Sequence, residues 1–419
     1  MTPEIKHRIE KIRHGNVPDG YKKTKAGILP ADWDVYMLGD CLSRVERPVE
    51  VKPNELYTQI GIRSHGKGLF YKEPVTGAAL GNKAVFWIEP DCFIVNIVFA
   101  WEQAIGKTTQ SEVGMIGSHR FPMYRPVNDR VDIDYLISYF LTKQGTDILE
   151  AASPGGAGRN KTLGQDRFLK SKITLPPIEE QQKIAAILTT QDKVIELKEK
   201  RLAEKQRQKK YFMQQLLTGK KRLPGFSGEW KKTKLKNILY ERKTYSPKGL
   251  EYPHVTLSAE GIFPKSERYD RDHLVRDEDK EYKITHKGDI CYNPANLKFG
   301  AICENTFGDA IFSPIYVTFE VEENICKEYI ANYLMRWDFI NAVRKYEEGT
   351  VYERMAVKPE DFLKFEIFLP QIEEQTAIAE VLSAADRETE LLRQDIEQEK
   401  QKKKALMQLL LTGIVRVKT

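Results

Sequence analysis

The sequence predicts an α/β (α+β) fold: two similar globular blocks, each followed by one long helix, the helices antiparallel as a coiled coil in an internal pseudo-two-fold repeat. Three observations predict it. Residues 175–222 recur at 369–416 without a gap, with 21 of the 48 positions identical, and repeats of this size set the architecture before any local reading. Each copy runs for about 40 residues with no Pro or Gly between its opening and its closing glycine, far longer than an ordinary globular helix. Framework residues in the intervening blocks also echo one another at offsets of 193–197.

Taken in order, residues 2–14 read as a short basic helix and then a loop; they alternate charge and Ile, unlike a signal peptide or anchor. Residues 1–32 form this lead-in, and Trp33 begins the first block, 33–174. Strand-like runs at 56–62, 84–88 and 93–99 are separated by Gly/Pro turns. Residues 133–149 read as helix. Ser153-Pro154-Gly155-Gly156-Ala157-Gly158-Arg159-Asn160-Lys161 reads as a basic glycine loop, and 168–175 as a strand feeding the first long helix.

That helix, 175–222, opens Leu175-Pro176-Pro177-Ile178-Glu179-Glu180-Gln181. Proline in the first turn costs no hydrogen bond, and early carboxylates suit the positive end of the helix dipole. It closes Leu216-Leu217-Thr218-Gly219, with glycine where a C-terminal cap prefers it. About 40 residues span about 60 Å. Apolar residues partly follow heptads: Ile184, Leu188, Ile195, Leu202, Phe212 and Leu216, with Ile378, Leu382, Leu392, Ile396, Leu406 and Leu410 in the second copy. Lys209, Lys403 and Thr389 interrupt the seam, so the pair is expected to need partners.

The second block, 223–368, repeats the plan before the second helix and tail, 369–419. Trp230 matches Trp33, Gly261-Ile262-Phe263 matches Gly68-Leu69-Phe70, Gly300 is aligned with Gly106, and Ser313 with Ser118. If the helices pack together they run antiparallel, with the blocks at opposite ends of a rod. The segment after Gly413 is then expected to lead back to residues 21–33.

Composition bounds the class. Hydrophobic residues make up 41% and charged residues 30%, which fits a soluble globular chain, and no apolar run reaches membrane-spanning length. Five scattered cysteines without metal spacing read as reduced thiols in a cytoplasm. The net charge of +6 is compatible with nucleic acid and decides nothing alone.

The paired Leu-Pro-x-Ile-Glu-Glu-Gln openings, the paired Leu-Leu-Thr-Gly closings and the alternation of divergent with repeated regions resemble the specificity (S) subunit of type I DNA restriction–modification enzymes, over essentially the whole chain. The resemblance implies that the divergent blocks are target recognition domains, each reading half of a split double-stranded DNA site. It implies that the helices set the spacing and dock methyltransferase (M) subunits, expected to number two, with restriction (R) subunits joining that core. Catalysis then lies in the partners, with no cofactor on this chain. Dimeric DNA readers place half-sites one turn of about 34–36 Å, or a multiple, apart, which a rod of about 60 Å suits.

The candidate DNA contacts in the first block are Arg63, Ser64, His65 and Lys67, in a loop with Gly66, and Arg159, Asn160 and Lys161. Arg and Lys can take guanine O6/N7, and Asn can take adenine N6/N7. In the second block they are Lys265, Arg268 and Arg271, after the matching Gly261 loop, and Arg344, Lys345, Tyr352 and Arg354 around Gly349-Thr350. The alternative for each is a solvated loop charge, and phosphate contacts outnumber base contacts in general. Arg354→Ala is expected to weaken one half-site only. The run 198–222 carries ten basic and two acidic residues; half are expected to be a solvated face, the rest to meet spacer phosphates.

Four enzyme-like stretches are rejected. Gly61 to Gly68 has Gly68 where a P-loop needs Ser or Thr. Gly106-Lys107-Thr108 has Trp101 in place of the upstream glycine. Asn293-Pro294-Ala295-Asn296 lacks the aromatic of an amino-methyltransferase loop. Glu281-Tyr282-Lys283 imitates a nuclease triplet by chance. The rivals are a self-contained methyltransferase or nuclease, which AdoMet binding would favour, and a coiled-coil scaffold that binds protein, which loss of DNA binding would favour.

Overall fold

A computed structural model of the chain describes residues 3–24, 27–81, 84–155, 161–247, 252–265, 281–346 and 356–417. Two compact units emerge, Met1–Lys198 with Asp395–Thr419, and Glu199–Gln394.

Unit one is built on a four-stranded antiparallel sheet in the order Ile105–Lys107, Phe93–Val95, Met123–Pro126, Leu42–Val45. Phe93 and Tyr124 face the helical side, where Phe140 and Phe168 pack on them, with Phe93 and Phe168 stacked 6.1 Å apart. The run at 133–149 is two helices, Ile133–Phe140 and Lys143–Ala151. Thr142 starts the second by accepting a hydrogen bond from Gly145 N, and a Cβ at Gly145 would strike the Tyr139 carbonyl. The strand expected at 168–175 is shorter: Gln165–Lys170 is helical, because buried Phe168 docks into the aromatic core, and only Lys172–Leu175 pairs, with Asp34–Met37. Residues 56–62 split into Leu56–Tyr57 and Ile60–Ile62, and 93–99 ends as a strand at Val95.

Unit two has the same plan. Its main sheet runs Ile302–Glu304, Ile290–Tyr292, Val317–Val321, Leu239–Glu241, all antiparallel. Tyr292, Phe319 and Phe362 stack beneath it, and Lys231–Lys234 pairs with Glu366–Leu369. The match corrects one sequence pairing. Gly300 caps a 3-10 turn with φ +83°, as Gln103 does in unit one with φ +59°, so Gly300 corresponds to Gln103. Gly106 lies inside a strand; the small shift of offset between the blocks hid this.

The two long helices are Ile178–Leu216 and Ile372–Leu410, 39 residues each, and each contributes to both units. Within each unit they run antiparallel. Unit one pairs Lys198 with Asp395 at 2.8 Å and with Glu399 at 2.9 Å, and Lys403 with Asp192 at 2.6 Å. Unit two pairs Lys209 with Asp386, and Lys205 with Glu388 at 2.9 Å. The lysines that interrupt the apolar seam therefore meet carboxylates of the facing helix, and Lys209–Asp386 and Lys403–Asp192 are the same pair made twice. Ile184, Leu188, Ile195, Leu216, Ile378, Leu382, Ile396 and Leu410 are buried; Leu202, Phe212, Leu392 and Leu406 are half-buried.

The second glutamate and the glutamine of the repeated opening motif each have a job. Glu180, fully buried, accepts from Trp33 Nε1 at 3.3 Å and from Arg416 Nε and Nη2 at 2.8 Å each. Arg416 also donates to both Asp32 oxygens, at 2.9 and 2.7 Å. Glu374 repeats this with Trp230 at 3.3 Å and Arg222 at 2.5 and 2.6 Å. Gln181 and Gln375 tie each helix start to its unit: their Oε1 atoms accept from Asp132 N at 3.0 Å and Cys326 N at 3.1 Å, and their Nε2 atoms donate to Pro176 O and Pro370 O at 2.9 Å. The tail after Gly413 thus returns to residues 21–33, where Tyr21 Oη donates to Gly413 O at 2.7 Å.

Candidate nucleic-acid interface

In unit one, Ile60–Ile62 and Leu69–Tyr71 form an antiparallel hairpin whose loop, 63–68, carries four of the candidate contacts. Arg63 N donates to Gly68 O at 3.0 Å and Arg63 Nη1 to Leu69 O at 2.6 Å, with the guanidinium 5.0 Å over the Phe70 ring. The loop tip turns through His65 and Gly66, both left-handed at φ +61° and +64°. It is lashed to the 3-10 turn Ala100–Glu102. His65 N donates to Glu102 O at 2.7 Å, Gly66 N to Gln103 O at 2.9 Å, and Ser64 Oγ to Glu102 Oε2 at 2.9 Å. The backbone is fixed while Arg63, His65 and Lys67 stay exposed. Such preorganisation lowers the ordering cost of binding.

Lys161 reaches the same turn from the glycine loop, its Nζ 5.2 Å over the Trp101 ring. Residues 100–103 thus bring Ser64, His65 and Lys161 together, with Arg63 and Lys67 on the same loop. Arg159 and Asn160 lie outside the described residues.

In unit two the matching hairpin, Val255–Ser258 with Gly261–Pro264, closes through only two residues, Ala259 and Glu260. Lys265 follows it, its N donating to His254 O at 3.0 Å, as Lys72 N donates to Gln59 O at 2.9 Å in unit one. Lys265 therefore corresponds to Lys72, and among the described residues this hairpin of unit two has no equivalent of the 63–68 loop. Arg344 and Lys345 lie on the 3-10 turn Arg344–Tyr346. Lys345 Nζ sits 4.9 Å from the Tyr346 ring and 5.0 Å from the Phe365 ring, on its own unit's aromatic surface. Arg268, Arg271, Tyr352 and Arg354, with Gly349-Thr350, lie outside the described residues.

The enzyme-like stretches have structural roles. Gly61 to Gly68 is strand and hairpin loop followed by a strand, where a P-loop needs a helix. Asn293 is buried and accepts at Oδ1 from Ala295 N at 3.1 Å and Asn296 N at 3.3 Å. Asn96, in the same place in unit one, accepts from Val98 N at 3.1 Å; both asparagines shape a turn. Lys283 is buried and donates to Glu241 at 2.8 Å. The five cysteines are free, and burial pushes the Cys41 thiol up to about 11 and that of Cys303 to about 12. Among the described residues no helix is long and apolar enough to cross a membrane.

Along 198–222, Lys198, Arg201, Lys205, Lys209 and Arg222 are ion-paired with the second helix. Sequence reasoning takes these as solvated or DNA-facing and misses the Glu180/Arg416 and Glu374/Arg222 clasps. Their signal is present, because both arginines and both glutamates recur at the 194-residue offset.

The comparisons with known proteins agree with this geometry. The MjaX and MjaVIII proteins of Methanocaldococcus jannaschii, named as type I restriction enzyme specificity subunits, are 26% and 24% identical to the chain; each alignment covers 96% of it, and 98% and 97% of the relatives. The fold is similar to the HsdS subunit of Thermoanaerobacter tengcongensis (TM-score 0.51, 17% identity, 92% of this chain and 98% of that one). It is also similar to the type I S subunit of M. genitalium (TM-score 0.54, 11% identity, 92% and 97%). The model of the type I restriction modification DNA specificity domain matches residues 82–206 and 228–401, and the chain belongs to that family as a specificity subunit of a type I restriction–modification system.

Proposed function

We propose that the chain reads a bipartite, asymmetric DNA site and is itself non-catalytic. Residues 33–174 form one target recognition domain and 223–368 the other, with 1–32 a lead-in. The helical segments 175–222 and 369–419 set the spacer and dock two methyltransferase subunits, which restriction subunits join. One observation carries the reading: a shared framework holds different surfaces at the same place, a six-residue basic loop at 63–68 in unit one and a two-residue turn at 259–260 in unit two. One scaffold with two different contact surfaces fits two half-sites of different sequence.

In unit one Arg63, Ser64, His65, Lys67, Arg159, Asn160 and Lys161 are the proposed contacts; in unit two they are Lys265, Arg268, Arg271, Arg344, Lys345, Tyr352 and Arg354. Arginine and lysine in such loops suit guanine edges and phosphates. Co-expression with the methyltransferase subunit, followed by mapping of methylated bases in the host genome, tests the proposal. A single split motif with unequal halves is expected; a short undivided motif would refute the two-reader account.

A further inference from the structure

The 3-10 turn that anchors the 63–68 loop is made twice, with one backbone and different outward side chains. In unit one Asn96 N donates to Ala104 O at 2.9 Å, Glu102 N to Phe99 O at 3.0 Å and Gln103 N to Ala100 O at 2.8 Å. In unit two, at a constant offset of 197 residues, Asn293 N donates to Ala301 O at 3.0 Å, Phe299 N to Asn296 O at 2.9 Å and Gly300 N to Leu297 O at 2.8 Å. Ala100 and Leu297 are buried, and Glu102 and Phe299 hold one and the same position. In both units the neighbouring hairpin lies against this turn. Ser64 and His65 bond to it in unit one, and in unit two a Cβ on Gly300 would lie 3.8 Å from that of Ala259.

Glu102 sits beside the basic loop, yet the described cations nearest in the chain's geometry are engaged elsewhere: Arg63 with Leu69 O and the Phe70 ring, Lys161 with the Trp101 ring. One carboxylate oxygen accepts from Ser64 Oγ at 2.9 Å. The side chain is half-buried on the wall of an open hollow of about 390 Å³, lined also by Phe70, Phe99 and Lys72. A carboxylate repels phosphate, and when ionised it only accepts hydrogen bonds. On a surface that meets DNA its match is therefore a base that offers a donor. Cytosine alone shows a donor and no acceptor in the major groove; adenine sets N7 beside its amino group, and guanine and thymine show acceptors. The minor-groove donor, guanine N2, belongs to the same C·G pair. Phe299 is 66% exposed, so core packing does not account for it, and Lys298 Nζ lies 5.3 Å from its ring. A phenyl group has no hydrogen bond to offer a base, and its match in the major groove is the thymine methyl.

We propose that this turn position is a base-reading position in both units, Glu102 taking a C·G pair in one half-site and Phe299 a thymine methyl in the other. This rests on the two-reader proposal above and adds a base pair that each half must contain.

The test uses the full chain co-purified with its methyltransferase subunit. Methylated motifs are mapped for wild type, Glu102→Gln, Ser64→Ala and Phe299→Ala, and affinities are then measured on duplexes carrying the wild-type site. Glu102→Gln keeps an oxygen for Ser64 Oγ and adds a donor, so one C·G position in one half should widen to admit adenine, whose N6 and N7 an amide matches. Adenine at that position should weaken wild-type binding about tenfold and leave Glu102→Gln unaffected. Phe299→Ala should relax one thymine position in the other half. Deoxyuridine there removes the methyl alone: wild type should bind roughly fourfold more weakly, and Phe299→Ala equally well with either base. If both variants keep the wild-type motif, or only one changes it, the turn is not a shared reader, although a split wild-type motif leaves the two-reader proposal standing. If Glu102→Gln weakens every position of its half alike, as Ser64→Ala is expected to, Glu102 only supports the loop and the assignment is overturned. A wild-type site with no C·G pair in one half, or no thymine in the other, overturns it as well. If the wild type yields no split motif, both readings fall.

Discussion

Arg416→Ala should open unit one at the clasp that returns the tail to the first helix. Arg416 donates to Asp32 and Glu180, and the Glu180 side chain has no exposure, whereas 31% of the Arg416 side chain reaches solvent. Removing one partner of a buried ion pair costs about 3–5 kcal/mol, because the other charge is stranded. Partial solvent access to Arg416 places this case near the lower end, about 3 kcal/mol. For a unit of this size that corresponds to a melting shift of roughly 6–12 °C. Hydrogen exchange should rise at 414–417 and 21–33 and stay unchanged in unit two. A cycle with Glu180→Gln isolates the pair: the double variant should be less destabilised than the sum of the singles by about 2 kcal/mol, within the range seen for contacting residues. A loss below about 0.5 kcal/mol, or a coupling near zero, would refute the assignment of Glu180 as the anchor of the tail.

Other outcomes follow from the same structure. Gly413→Ala should destabilise more than Gly219→Ala: both sit at φ +70°, but a Cβ at 413 would lie 2.5 Å from Pro30, while one at 219 meets Trp230 only at 3.4 Å. The shared left-handed strain is about 1–2 kcal/mol, so thermal melts should separate the two by the extra clash. Asp32 is held below its ordinary carboxyl value, chiefly by the hydrogen bond from Arg416. Its contribution is present above about pH 4 and is lost as pH falls through the depressed value, so exchange at the tail should rise in acid; in Arg416→Ala that acid dependence should flatten. Replacing 63–68 with a two-residue turn like Ala259-Glu260 should abolish recognition of one half-site and spare the other, read by binding to DNAs with either half scrambled; loss of both halves would argue that the loop is a folding element.

The repeat, the helix termini and the antiparallel pairing are legible in the sequence because identity at a constant offset survives any error in local reading. The clasps are not, although Arg222 and Arg416 stand in plain view. A carboxylate in a first helical turn reads as a dipole partner, and only packing reveals that Glu180 and Glu374 are buried. The helix break at Leu141-Thr142 is missed because apolar periodicity continues across it and masks two local signals, the Thr142 cap on Gly145 N and the glycine needed where the second helix starts against the Tyr139 carbonyl. The site divides likewise. Basic and glycine residues mark the 63–68 loop, but two of the three bonds that anchor it to Glu102 and Gln103 run between backbone atoms, which leave no sequence signature. The Asn293-Pro294 stretch looks like catalysis and is a turn, recognisable once Asn96 is seen making the same bond.

If the repeated helices measure DNA while the divergent loops read it, spacing and sequence should be separable. Adding four residues, one helical turn, to each long helix at matching positions lengthens the pair by about 6 Å, or about two base pairs at 3.4 Å each. Mapped methylation by the lengthened chain with its methyltransferase subunit should show both original half-sites separated by a spacer about two base pairs longer. An unchanged spacer, or altered half-sites, would contradict the account.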